Sequence, residues 1–249
     1  MVRYPHCAKN QSKDNDYMTN LFLFSSSIGR KLVMSVSGAF LILFLLFHLC
    51  MNLVVIFDAE SYNMICELLG ANWYALVGTL VLAGGVALHV LYATWLTLQN
   101  RMARGTQRYA VTATEQGVAW ASKNMYILGL IVAGGLLLHF YNFWYNMQFT
   151  EIMGEHLNSQ GTSPTDGAAL IAGLFSQPVY CLLYLVWLAA IWFHLTHGMW
   201  SMFQTVGFAN KKWYPRLKTT ANVVSTIMML GFAAVVVIFY LRSSGITIL

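Results

Sequence analysis

The chain has 249 residues, 58% of them hydrophobic and only 9% charged, with a formal net charge of +5. That composition, with a mean hydropathy of +0.59, excludes an ordinary soluble globular domain and points to a polytopic membrane protein. The four cysteines, Cys7, Cys50, Cys66 and Cys181, form no CxxC, CxxCH or zinc-type spacing, which argues against covalent haem attachment, cysteine-held clusters and a disulfide framework.

Residues 1–20, MVRYPHCAKNQSKDNDYMTN, are polar and lack the apolar core and cleavage site of a secretory signal. Residues 1–27 are therefore expected to be a loose polar segment, with Met18 as an alternative start. Five apolar stretches follow, approximately 32–56, 74–98, 124–148, 178–205 and 220–241. Each is as long as the roughly 20 residues needed to cross a hydrocarbon core of about 30 Å. The expected fold is all-α, a bundle of five transmembrane helices over residues 28–249.

Taken in chain order, the first helix holds His48 in FHLCMN, and the second holds His89 at the end of LAGGVALH, residues 82–89. The third holds His139 at the end of VAGGLLLH, residues 132–139, and the fourth holds His194 and His197 in FHLTHGMW. No Asp, Glu, Lys or Arg sits in mid-span, so histidines carry nearly all the ionisable character inside the spans, where such residues are functional by default. The connecting segments divide by charge. Arg30 and Lys31, then Arg101, Arg104, Arg108 and Lys123, then Lys211, Lys212, Arg216 and Lys218 share one end, whereas loops 57–73 and 149–177 hold Asp58, Glu60, Glu67, Glu151, Glu155 and Asp166 with no Lys or Arg. Only Arg242 is a cation at the acidic end. Lysines and arginines collect on the cytoplasmic side, which places the N-terminus inside and the C-terminus outside. A basic rim of this kind reads as topology and attraction to anionic lipid; it also suits a docked cytosolic partner, and no nucleic acid is expected. Within the 149–177 loop, GAALIAGLFSQP is expected as a short helix lying at the surface or covering an outer site.

Depth follows from counting about 1.5 Å per helical residue. His48 falls roughly 27 Å from Arg30 and His139 roughly 24 Å from Lys123, toward the outer half. His89 falls roughly 18 Å from Arg101, and His194 about eleven residues before the fourth helix ends, toward the inner half. An outer pair and an inner pair on separate helices are what two stacked b-type haems require, one histidine from each of two helices on each iron. Interhelical hydrogen bonding by isolated histidines is the alternative. The repeated glycine favours haem: Gly85 lies four residues before His89 and Gly135 four before His139. The residue at that offset lies beneath the imidazole, and a glycine there leaves room for a flat macrocycle. Spacing alone leaves His194 and His197 both open as ligands; His197 is equally a partner for a haem propionate or a proton carrier near a quinone.

SVSG ten residues before His48, LHVLYATW running into a basic loop, LLLHFYNFW, and FHLTHGMWSMFQTVG closing the fourth helix recur in an order and placement that is similar to one family. Over roughly residues 28–241 the chain resembles the di-haem cytochrome b anchor of succinate:quinone oxidoreductases, the single-chain five-helix type of succinate dehydrogenases and menaquinol fumarate reductases. The resemblance implies two haem b groups, with His89 and His194 holding the inner one and His48 and His139 the outer one. It implies Ser35 and Gln204 or Thr205 near haem propionates, and Glu67, with Glu60 second, as a carboxylate that takes a quinone proton. It further implies an FAD-containing flavoprotein and an iron-sulfur subunit on the cytoplasmic face, menaquinone or another quinone as substrate, a bacterial cytoplasmic membrane, and a possible dimer of complexes. The chain itself has no flavin fingerprint and no catalytic Arg/His cluster for dicarboxylate chemistry. Certain fumarate reductases carry a glutamate two residues before the fourth-helix ligand; here that position is Trp192, which predicts electrogenic turnover. A di-haem quinol cytochrome serving a formate dehydrogenase or hydrogenase is the rival within the class. A haem-free transporter with a histidine proton relay is the rival outside it.

Overall fold

The computed structural model describes residues 26–104, 120–205, 207 and 210–246. The expected N-terminal segment, with Met18, Cys7, Arg3, Lys9 and Lys13, therefore lies almost wholly outside the described residues, as does Arg108. Every regular element among the described residues is helical, and five helices are long and apolar enough to cross a membrane. The chain is an all-α polytopic bundle.

Helix α1 (Ser27–Phe57) begins where the Ser26 hydroxyl accepts from the Gly29 N–H at 2.9 Å, satisfying one of the orphan donors of the first turn. Asp58 ends α1 in extended backbone (φ −149°) and starts α2 (Ala59–Leu68) by accepting from the Glu60 and Ser61 N–H groups. One residue thus turns the chain from a span onto the membrane surface. Helix α3 (Trp73–Arg104) returns to the basic end. After the single turn α4 (Trp120–Lys123), helix α5 (Met125–His139) continues without a break through a π-helical stretch, Phe140–Phe149, into α6 (Thr150–Ile152). Helix α7 (Gly167–Phe175) is capped by Asp166, whose carboxylate accepts from the Ala169 N–H at 3.0 Å. Helices α8 (Pro178–Thr205) and α9 (Tyr214–Ser243) complete the antiparallel set.

The two acidic segments hold helices of their own, and 167–175 is the short helix expected there. Residues 57–73 contain α2 with Tyr62 buried against the bundle, and α7 is buried rather than laid on the surface, with Leu170 at 0% and Ile171 at 2% exposure. Apolar α7 therefore plugs the acidic end between α9 and α2.

Helix α8 is central and packs on α1, α5 and α9, while α9 also packs on α1 and α7. Leu49, Leu188, Ile191, Leu195, Met228 and Val236 form the core of this half. Lipid is as apolar as these side chains, so close van der Waals fit rather than water exclusion holds the helices together. Helix α3 stands at the edge, on α1 and more lightly on α5. Tyr92 is the one large α3 side chain in the core among the described residues.

Candidate functional site

The bundle brings four histidines from four helices together as two pairs. His48 of α1 faces His139 of α5 with ring centres 5.8 Å apart and planes at 89°. His89 of α3 faces His194 of α8 at 6.4 Å and 73°. Two imidazoles on opposite sides of one metal atom, with metal–nitrogen bonds of about 2 Å, place their ring centres about 6 Å apart. Perpendicular planes are compatible with that arrangement, because each ring turns freely about the metal–nitrogen axis.

The separation of the pairs is fixed by the helices. His89 packs against Ser37 and Gly38 of α1, and Ser37 is eleven residues before His48, or about 16 Å along the axis. His194 packs against Gly129 of α5, ten residues before His139, or about 15 Å. Two helices independently give the same vertical spacing.

Hydrogen bonds distinguish the pairs. Ser37 Oγ lies 3.0 Å from His89 Nδ1 and donates its own hydrogen to the Met34 carbonyl at 3.2 Å. A hydroxyl has one hydrogen; with it on the Met34 carbonyl, His89 Nδ1 is the donor and Nε2 the bare nitrogen. Asn52 Nδ2 stands 3.4 Å from both nitrogens of His48 and donates instead to the His48 carbonyl at 2.8 Å, so it fixes the ring's surroundings without selecting a tautomer. Nδ1 of His139 and of His194 are buried with no partner among the described residues. Each pair thus contains one imidazole next to a polar side chain of α1, Ser37 or Asn52, and one whose Nδ1 has no partner among the described residues.

The His48–His139 pair sits in an aromatic shell. Phe44 stacks on His48 at 5.4 Å, Phe232 lies 5.9 Å from it, and His139 meets Phe143 at 5.0 Å, Trp187 at 5.6 Å and Tyr184 at 6.3 Å. A flat ring also lies on the second glycine of each repeat, Gly85 and Gly135. A Cβ on Gly85 would run into the Phe40 ring and one on Gly135 into the indole of Trp187, both closer than real Cβ contacts allow. The space these glycines leave is therefore filled by side chains that must turn aside for a macrocycle to lie there.

The remaining expected residues scatter. His197 packs on Trp200 at 5.1 Å, whereas the ring facing His89 is that of His194, so the structure separates the two candidates. Ser35 is buried in α1, Gln204 is exposed, and Thr205 donates back to the Ser201 carbonyl at 3.2 Å. Glu67 and Glu60 are both exposed on α2, ahead of α3. The carboxylate that meets the start of α3 is Glu151, which accepts from the Ala71 N–H at 3.0 Å. Trp192 donates to Thr226 Oγ1 at 2.9 Å and faces α9. Ser37 and Asn52 were not singled out by sequence, since nothing in a single sequence gives the register between α1 and α3.

The donor set suits a metal that brings most of its own ligands. Among the described residues no group of three or more His, Cys, Asp or Glu side chains is placed to hold a metal ion, and each pair offers two imidazoles whose ring centres lie 5.8 or 6.4 Å apart. An iron porphyrin, which supplies four equatorial nitrogens and needs two axial ones, fits that donor set. No family model, curated relative or solved structure matches the chain.

Proposed function

We propose that the chain is the membrane-anchor cytochrome b of a succinate:quinone oxidoreductase, passing electrons between a membrane quinone and a cytoplasmic iron-sulfur subunit. The observation that carries the reading is the meeting of four histidines from four helices as two opposed pairs about 15 Å apart along the bundle. Isolated histidines serving as helix glue have no reason to pair ring to ring at metal-ligation spacing twice.

In this reading His48 with His139 would hold one haem iron, and His89 with His194 the other. Two bound haem b groups supply one-electron carriers at two depths, where the quinone reaction takes two electrons and two protons. The chain's own part is to bind and orient. Ser37, 3.0 Å from His89 Nδ1, orients that ring and would leave Nε2 for the iron, the second-sphere role that sets ligand orientation and basicity. Phe44, Phe143 and Phe232 keep water from the outer pair, and a dry surround raises the strength of every charge inside it. The basic end suits docking of an FAD flavoprotein and its iron-sulfur subunit, which perform the dicarboxylate chemistry. Menaquinone or another quinone is oxidised or reduced toward the acidic end.

The test is a pyridine haemochrome assay with protein quantification on the complex purified from membranes, alongside a dithionite-reduced minus oxidised spectrum. Two b haems per chain are expected, and one in either His139→Ala or His194→Ala. A folded preparation without haem would overturn the reading.

A further inference from the structure

At the acidic end a groove of about 580 Å³ opens between α1, α2, α7 and α9, a volume within the range of small-molecule sites. Val55, Ala172 and Phe239 lie along its apolar wall, and Asn63, Asp166 and Arg242 are its polar members. Its position at the ends of two spans puts the mouth at the boundary between hydrocarbon and water.

The two charged members are held apart. Arg242 is half-buried, lies over the Phe239 ring at 5.4 Å and donates one guanidinium nitrogen to the Ile56 carbonyl at 2.8 Å. Asp166 places one oxygen on the Asn63 amide at 2.8 Å and on the α7 cap at 3.0 Å. Its second oxygen has no partner among the described residues, and the two groups make no ion pair with each other. Each is anchored by a backbone element, so neither swings across to neutralise the other. Two opposite charges beside hydrocarbon are costly unless each meets a counter-charge.

We infer that the groove binds one phosphatidylethanolamine molecule, with the lipid phosphate on Arg242, the ammonium on the free oxygen of Asp166 and an acyl chain along Val55, Ala172 and Phe239. Guanidinium recognises phosphate oxygens through paired donors. An ammonium carries N–H donors for a carboxylate, which a quaternary choline lacks. Phosphatidylglycerol satisfies Arg242 but sets a second negative charge beside Asp166. A quinone ring has no charge and leaves both residues uncompensated. The inference stands on the groove alone and holds whether or not the histidine pairs bind haem.

The experiment is native mass spectrometry of the full-length chain, in its complex where one forms, after delipidation in mild detergent and titration with phosphatidylethanolamine, phosphatidylglycerol or phosphatidylcholine. The wild type is expected to retain one phosphatidylethanolamine at least severalfold more tightly than either other lipid. Arg242→Gln should lower that retention to the phosphatidylcholine level. Asp166→Asn, which keeps a capping side chain on α7, should erase the preference over phosphatidylglycerol. Ala172→Phe fills the exposed wall without touching a charge and should weaken binding of all three lipids, which separates groove occupancy from headgroup recognition. Equal retention of the three lipids by the wild type would overturn the inference, as would retention indifferent to all three substitutions. So would a quinone, rather than a phospholipid, released selectively by Arg242→Gln.

Discussion

Ser37 Oγ stands 3.0 Å from His89 Nδ1 and also reaches the Met34 carbonyl at 3.2 Å, so with its one hydrogen on Met34 it accepts from the imidazole. A ligand whose second nitrogen donates a hydrogen bond is more electron-rich and favours the oxidised metal. If the proposed two haems are bound, Ser37→Ala should therefore raise the midpoint potential of one and leave the other where it is, while Ser37→Thr restores the wild-type value. A hydrogen bond of about 1 kcal/mol corresponds to roughly 40 mV for a one-electron couple, which a potentiometric titration resolves; two unchanged potentials would remove Ser37 from the site. The sequence drew attention to Ser35 instead, two residues away. That offset turns a side chain by about 200° around the helix, so choosing between the two serines needs the packing of α1 on α3. The four histidines themselves were legible, because charge-bearing residues are scarce in the spans and depth follows from counting. A second residue-level prediction concerns Cys66 of α2, outside the spans. Burial pushes its thiol up to about 11, with the Tyr62 hydroxyl and Gly167 backbone partly opposing that shift. The folded protein thus holds this proton more tightly than the unfolded chain, and the associated stability is present below about pH 9 and is lost as pH rises toward 11. Alkylation by iodoacetamide at pH 8 should be slow in the folded protein and fast once it is unfolded, and Cys66→Ala should flatten the alkaline limb of a thermal-stability profile. Fast labelling of the native state at pH 8 would contradict the burial argument.

The five spans were readable as elements, since their hydropathy exceeds anything else in the chain and their ends are marked by charge. The structure extends them, as in Ser27–Phe57 for an expected 32–56. The π-helical stretch was not readable. It begins directly after His139 and turns Asn142, Asn146 and Gln148 inward, although FYNFWYNMQF looks like an ordinary interfacial end of a helix. Its signal lies in long-range partners. Asn142 donates to the Tyr184 hydroxyl at 3.2 Å, Gln148 donates to the Gly70 carbonyl at 2.8 Å, and Asn146 accepts from the Ser159 N–H at 3.1 Å and from the Ser159 hydroxyl. Wider winding lets consecutive polar side chains reach three separate segments, and π-helical turns recur where function requires such a departure. Asn146, at 3% exposure, also donates to the Tyr141 and Asn142 carbonyls. Asn146→Leu should release the loop before α7, because it leaves buried groups unpaired at about 1–3 kcal/mol each. Limited proteolysis should then cut between residues 153 and 166 at a rate at least tenfold above wild type; an unchanged cleavage pattern would mean that α7 alone holds the loop.

At the scale of the whole molecule, the charge on the chain is divided by end, and the spans between the ends carry none. The two histidine pairs connect those ends across about 15 Å of apolar bundle. Where an electron crosses such a span without a proton, charge moves across the membrane. Among the described residues no carboxylate stands between the pairs, and the α8 position two residues before His194 is Trp192, which is bonded to Thr226 of α9 and faces away from the pairs. In the proposed orientation, electrons from a cytoplasmic partner move outward to the quinone. An inside-negative potential should therefore speed succinate oxidation by an added quinone and slow the reverse reaction. A full crossing is worth about 2.3 kcal/mol per electron per 100 mV, so even half of that depth should change the ratio of forward to reverse rates severalfold. Proteoliposomes holding the whole complex in a single orientation, with a potassium diffusion potential imposed by valinomycin, make the measurement direct. Rates that depend on the sign of the potential, and lose that dependence on adding an uncoupler, are the expected result. Turnover indifferent to the imposed potential would mean either that a proton accompanies each electron through the bundle by a route not involving position 192, or that the quinone reacts on the same side as the partner subunits. Oriented exposure of the site to a membrane-impermeant quinone analogue then distinguishes these two arrangements.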